Sequence, residues 1–341
     1  MGTKPPVFIV GAPRSGTTLL RNILNRHPAL AVCRETQFYH YVYARRRAFG
    51  DLSNLQNRRR LVEEYLSLQR IQGLGMDVSL LAQRMLREAA TYRAMFHCML
   101  EFHAESQGKT RSGEKTPHHA LFTETLCEWF PGAVILHLVR DPRDVVASLR
   151  GMHWAPDNVV YNARTWVSHN RAARRSHHRP GYLLVHYEKL VAQPELEVSR
   201  ICAHLSEDFV PALLTPDEPA AGHVSWGRRA QEPITQEWIG IWRETFTSDE
   251  AALIEWVAGE EMITLGYDRL VRPPSGLAVM RGLGFAALDT VRKRLTQFPG
   301  MWYRVMRPTR LVKEEYWMHV RAWQKDAKSA SARDPRTRVG L

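Results

Sequence analysis

Apolar residues fall along this chain in two kinds of pattern. Short continuous runs mark strands buried on both faces. Val7–Val10 is one, Ala29–Val32 a weaker one, and Ala133–Val139 (AVILHLV) the strongest in the chain. GYLLVHYEKL, from Gly181, adds another strand and a turn. Elsewhere apolar positions recur three and four residues apart. That spacing predicts a helix from Thr17 to about Arg26, ended by His27-Pro28, helices through most of 41–107 with a break at GLGMD, and a long helix from Asn158 to Arg174. ELEVSRICAHL, QEWIGIWRETF and SDEAALIEWVAGEEM read as further helices, and DPRDVVASLR opens one with Pro142 in its first turn. SGEKTPHH reads as a loop with a proline stop. Strands alternating with helices imply an α/β fold around a mostly parallel sheet.

Charge adds a boundary. The chain has 341 residues and a net charge of +12, which favours anionic partners: phosphorylated or sulfated small molecules, nucleic acid or an acidic membrane surface. After Leu270 there are fifteen Lys and Arg against five Asp and Glu, so the first 270 residues are near +2. LGYDRL and RPPSG mark the change, giving a domain over 1–270 and a basic helical appendage over 271–341 with a disordered end. Leu277, Met280, Leu288, Val291 and Leu295 share one helical face. The segment 271–323 therefore reads either as a membrane-surface helix pair or as an appendage packed on the domain or on a second copy in a homodimer. Cys33, Cys98, Cys127 and Cys202 are far apart and lack zinc spacing, so no metal is expected and a reduced compartment fits. An apparent core strand at Val7 leaves no room for a signal peptide, and no apolar run reaches membrane-spanning length. The expectation is a cytoplasmic protein, peripheral at the membrane if the tail binds lipid.

The chemistry is concentrated after the first strand. Gly11-Ala-Pro-Arg14-Ser15-Gly16-Thr17-Thr18 has the two-glycine spacing of a phosphate loop, but Thr17 stands where a nucleotide kinase carries lysine. The N–H groups of Ser15 to Leu19 would face an anion at the helix N-terminus, with Arg14 as the fixed charge and the Thr17 and Thr18 hydroxyls as further donors. The plainer alternative is a capped strand-to-helix turn.

GAPRSGTT, followed by LLRNILNRHPAL, resembles the 5′-phosphosulfate loop of sulfotransferases that use 3′-phosphoadenosine 5′-phosphosulfate (PAPS), especially bacterial, tyrosylprotein-type and heparan-type members. The resemblance covers roughly 7–267 and fades over 41–107, where it implies a helical acceptor-side insertion. It implies a P-loop-like three-layer fold, PAPS as co-substrate, an acceptor hydroxyl on carbohydrate, lipid, natural product or tyrosine, no metal and no nucleic-acid partner. It makes Arg14, Ser15, Gly16, Thr17 and Thr18 donor-binding residues.

The resemblance also makes Arg140 and Ser148, in HLVRDPRDVVASLR, the residues for the 3′-phosphate; they lie two helical turns apart at the end of a strand. Alternatively Arg140 pairs with Asp141 or Asp144, or Asp141 is the metal-holding aspartate of a kinase. In VCRETQFYH, Glu35 inherits the role of general base, which desolvation would favour by raising its carboxyl. The plainer reading pairs it with Arg34 or Arg45. In SGEKTPHHALF, Lys115 would stabilise charge on the departing phosphate oxygen, or else form a surface pair with Glu114. His118 and His119 suit helix capping or acceptor contact. Arg228 and Arg229, in HVSWGRRAQEPITQEW, resemble the second grip on the 3′-phosphate. The rival classes are a P-loop kinase using ATP and Mg²⁺, and a non-catalytic protein that binds anions or membrane surface through its tail.

Overall fold

The computed structural model describes residues 4–152, 154–215 and 234–269, with isolated positions between 273 and 284. Arg228, Arg229 and, those positions aside, the 271–341 segment with its membrane, appendage and dimer readings lie outside the described residues.

Five strands form one sheet: β1 (Val7–Gly11), β2 (Leu30–Cys33), β3 (Arg111–Lys115), β4 (Val134–Val139) and β5 (Tyr182–His186). Their spatial order is β2-β3-β1-β4-β5, and every pairing is parallel. The major helices are α1 (Thr17–Asn25), α2 (Leu55–Leu66), α3 (Val78–Glu88), α4 (Tyr92–Ser106), α5 (Pro142–Leu149), α6 (Val159–Arg174), α7 (Pro194–Leu205) and α8 (Ser248–Thr264). Alternation along β1 divides the core. Val7 and Ile9 pack with Leu20, Ile23 and Leu24 of α1 and with Val198 and Ile201 of α7. Phe8 and Val10 pack on the other face with Phe38, Tyr65 of α2, Met85 of α3, and Phe96 and Met99 of α4. The result is three layers, with the helical insertion over one face.

Local chemistry explains the helix starts in the insertion. The Asn54, Asp77 and Thr91 side chains cap α2, α3 and α4 by accepting from backbone N–H groups in the first turn of each helix. Asn158 does the same for α6 by accepting from the Tyr161 N–H. QEWIGIWRETF is less regular than its spacing suggests, since only Trp242–Thr245 is helical. Two of its amides, Gly240 and Trp242, are held instead by the buried Asp144 carboxylate at 2.8 and 3.1 Å.

The main correction concerns SGEKTPHH. Its first part is not a loop but β3, hydrogen-bonded between β2 and β1. The strand is wholly buried although its sequence is Arg-Ser-Gly-Glu-Lys. It carries no apolar run because each polar side chain meets a partner inside the protein. Arg111 donates to the Pro5 carbonyl and pairs with Glu207 at 2.9 Å, and Ser112 donates to Glu101 at 2.6 Å. Gly113 lies so close to β1 that a methyl group there would stand 2.6 Å from the Val7 carbonyl oxygen. Gly113→Ala should therefore destabilise the fold by about 1–3 kcal/mol, read as a lower urea midpoint with an unchanged slope.

Candidate active site

The loop between β1 and α1 is shaped by what lies beneath it. Gly16 adopts φ 93°, and a methyl group there would sit 2.4 Å from the Tyr187 ring. Gly16 is also the N-cap of α1, and no side chain caps the helix. The capped-turn alternative therefore fails: the first-turn amides keep their donors, which α1 itself cannot satisfy. Ser15 is the exception, because its N–H is turned back to the Ala12 carbonyl at 3.2 Å. The amide cradle thus begins at Gly16.

Arg14 is held at φ 73°, a left-handed conformation costing a non-glycine residue about 1 kcal/mol or more. In that conformation its Nε donates to Ser148 Oγ at 3.0 Å. Arg140, at the end of β4, donates to the Arg14 carbonyl at 3.4 Å and to the Trp238 carbonyl, and its guanidinium lies 4.6 Å from the centre of the Tyr187 ring. Arg14, Arg140 and Ser148 are thus tied into one hydrogen-bonded cluster.

Arg140 stands 3.9 Å from Asp144, a carboxylate already committed to the Gly240 and Trp242 amides. Asp141 does not pair with Arg140. It caps α5 through the Arg143 N–H at 2.8 Å and binds the Arg143 guanidinium at 2.6 Å, so it has no free face for the metal of a kinase-type site. Two buried polar atoms here have no hydrogen-bond partner: Ser15 Oγ and Arg140 Nε. An unmade buried hydrogen bond costs about 1–3 kcal/mol. These unmet polar atoms, beside Arg14 and at the end of β4, have the chemistry to fit an anionic ligand.

On the other side of α1, Lys115 is 4 % exposed and bridges two elements. Its Nζ is 2.6 Å from Glu35 Oε1 and 3.2 Å from Thr18 Oγ1. Glu35 follows β2 and is one-third exposed. Arg70, from the insertion, donates to its backbone carbonyl at 3.2 Å and stands 3.9 Å from its carboxylate, while Gln37 Nε2 donates to Oε2 at 3.4 Å. Its ion-pair partners are Lys115 and Arg70, where the plainer reading had Arg34 or Arg45.

The sign of the carboxyl shift is also corrected. Burial pushes Glu35 up, but the Lys115 charge and hydrogen bond, helped by Arg70, outweigh it and bring the group down to about 2. Ionised Glu35 therefore adds stability above the ordinary carboxylate range, and loses it as pH falls toward 2. Lys115 makes no surface pair with Glu114, whose side chain lies on the opposite face of the sheet. His119 is fully buried against that residue. His118 lies near Glu35 and meets His169 edge-on at 5.0 Å; burial, then His169, pushes it down to about 4, so it is neutral near pH 7.

A family model described as the sulfotransferase family matches residues 5–211, well over half of the chain. The chain belongs to the sulfotransferase family. This sulfotransferase is 25% identical over 278 residues to a putative protein-tyrosine sulfotransferase of Caenorhabditis briggsae, covering 77% of its own length and 89% of the relative's. It is likewise 25% identical over 288 residues to protein-tyrosine sulfotransferase A of Caenorhabditis elegans, covering 80% and 70%. Among solved structures, the sulfotransferase domain of the Synechococcus PCC 7002 olefin synthase shares the fold at a TM-score of 0.54, with 23% identity over 79% of this chain and 98% of that one. The enzyme's reaction class is transfer of a sulfuryl group from PAPS, not phosphoryl transfer from ATP.

Sequence reasoning misses several residues that shape the sulfotransferase site. Tyr187 supports both the loop and Arg140. Asp144 holds residues 240–242, and Trp166 Nε1 donates to the Arg140 carbonyl at 2.9 Å. Asp144 enters the sequence reading only as a pairing alternative for Arg140, Tyr187 lies in a stretch read as strand and turn, and the apolar stripe of α6 places Trp166 in a buried face. Lys115→Met should free Glu35 from its partner while leaving it half covered. Its carboxyl should then titrate above the ordinary glutamate value rather than near 2, as read by ¹³C NMR of labelled Glu35.

Proposed function

We propose that this sulfotransferase binds PAPS across α1 and α5 and passes its sulfuryl group to an acceptor hydroxyl at Glu35. The observation that carries this reading is the Arg14–Ser148 hydrogen bond of 3.0 Å, with Arg140 donating to the Arg14 backbone. On this reading two anion cradles are tied to one another through Arg14.

The amides from Gly16 to Leu19, with Arg14 and the Thr17 and Thr18 hydroxyls, hold the 5′-phosphosulfate. Arg140, with its free Nε, and Ser148 hold the 3′-phosphate, a group that ATP lacks. Glu35 takes the proton of the acceptor hydroxyl as its oxygen bonds to sulfur. The bond from sulfur to the 5′-phosphate oxygen breaks, and that oxygen keeps the electron pair. Lys115 faces it from beside Thr18 and offsets the new charge. A transferred sulfuryl group carries less charge than a phosphoryl group, so arginine and backbone donors suffice where a kinase needs lysine and Mg²⁺.

A carboxylate pulled down to about 2 is a poor base, and Lys115 resolves the difficulty. It neutralises Glu35 in the free protein and is shared with Thr18. The anionic donor beside Thr18 competes for the ammonium. As Lys115 turns toward it, Glu35 loses its strongest partner and its proton affinity rises. The base is then competent when the donor is in place.

³⁵S-labelled PAPS offered with a tyrosine peptide, an oligosaccharide and a simple phenol will identify the acceptor class by label transfer. Glu35→Gln should retain affinity for 3′-phosphoadenosine 5′-phosphate by calorimetry but lose about 10²–10⁴-fold in turnover; full turnover would remove the proposed base. Arg140→Ala should weaken binding of the same ligand about 10–100-fold, as expected for a charge-assisted phosphate contact of roughly 1.5–3 kcal/mol. It should leave the affinity for adenosine 5′-phosphosulfate, which lacks the 3′-phosphate, nearly unchanged. EDTA should not alter either binding constant.

A further inference from the structure

The turn that carries Glu35 is gripped from behind by a residue with no part in the chemistry above. Glu114 precedes Lys115 on β3, and strand alternation sends the two side chains to opposite faces. Glu114 is 1 % exposed. Its Oε1 accepts from the Thr36 N–H at 3.0 Å, from the Thr36 hydroxyl at 2.9 Å and from the Thr116 hydroxyl. Its Oε2 stands 3.0 Å from His119 Nδ1. The Tyr39 N–H donates to His119 Nε2 at 3.4 Å, which ties that ring to the segment after Glu35.

The neighbouring backbone is strained in a way that needs such a grip. Gln37 has φ 52°, and its N–H donates to the Thr116 hydroxyl at 3.4 Å. A left-handed non-glycine residue persists only where its surroundings over-determine it. That conformation accompanies the hydrogen bond from the Gln37 side-chain amide to Glu35 Oε2. Two consecutive residues of β3 therefore hold two consecutive residues after β2: Lys115 holds Glu35, and Glu114 holds Thr36.

We propose that Glu114 is a positioning residue for sulfuryl transfer, acting through Thr36 to fix the Glu35 carboxylate opposite Lys115. The proposal rests on Glu35 being the base. Only the end of β2 depends on the link. The donor cradles, built on β1, β4 and their following helices, do not.

The test uses the full chain, ³⁵S-PAPS and whichever acceptor of the panel the wild type sulfates best. Thr36→Val keeps the shape of the side chain but removes the hydroxyl, and Thr36→Ser keeps the hydroxyl. Thr36→Val and Glu114→Gln should each lower kcat about 10–100-fold, the loss expected from a misplacement near 1 Å. KM for PAPS and affinity for 3′-phosphoadenosine 5′-phosphate should stay within about threefold. Thr36→Ser should restore turnover, and the double variant should be no worse than either single one, because both cut the same link. A crystal structure of Thr36→Val should show the Glu35 carboxylate turned away from Lys115 with the sheet unchanged. Wild-type turnover with the Glu35–Lys115 pair intact, in a background where Glu35→Gln is inactive, would overturn the positioning role. Equal falls in kcat and donor affinity, indicating general damage, would also overturn it. Full turnover by Glu35→Gln is a separate failure, which removes the base and the proposal with it.

Discussion

The site depends on the burial of a charged strand in the middle of a parallel sheet. Burying Arg111, Glu114 and Lys115 incurs a desolvation penalty that only close partners offset, and each finds one on another segment of the chain. Because a strand sends neighbours to opposite faces, Glu114 and Lys115 reach partners on both sides of the sheet from adjacent positions. The register between β2 and β3, with Cys33 opposite Glu114, places the end of β2 level with these charges. A shift of one residue would exchange the faces and separate Glu35 from its ammonium.

The donor half has a different logic. Its charged groups come from the C-terminal ends of β1 and β4, where open parallel sheets expose their crevices. The pieces are tied to one another rather than each to its own support. Arg14 bonds Ser148, Arg140 bonds the Arg14 backbone, Trp166 holds the Arg140 carbonyl, and Asp144 fixes residues 240 and 242. Polar groups in such a network raise one another's order. Within this network Ser15 Oγ and Arg140 Nε are left without partners.

Much of this is legible in the sequence, for physical reasons. The loop, Arg14, Arg140 and Ser148 sit in local patterns whose spacing reflects strand, turn and helix geometry, and the structure brings them together. Glu35 and Lys115 are legible as separate residues. That they are bonded is not, because eighty positions separate them and pairing between strands leaves no local trace. For the same reason the direction of the Glu35 shift escapes the sequence: burial can be guessed from neighbouring apolar residues, whereas a distant ammonium cannot. β3 reads as a loop because its stability comes from hydrogen bonds and ion pairs, to which an apolar periodicity is blind. Arg228 and Arg229 lie outside the described residues.

The ring of Tyr187 carries a consequence for anyone moving this chemistry elsewhere. It touches Gly16 and lies under Arg140, yet it comes from the helix that follows β5. A transplant of the glycine loop with its helix onto a foreign scaffold would bring the recognisable motif but leave its floor behind. What must be transplanted is a three-strand unit, β1, β4 and β5, in which a single aromatic residue sets the spacing between Gly16 and Arg140.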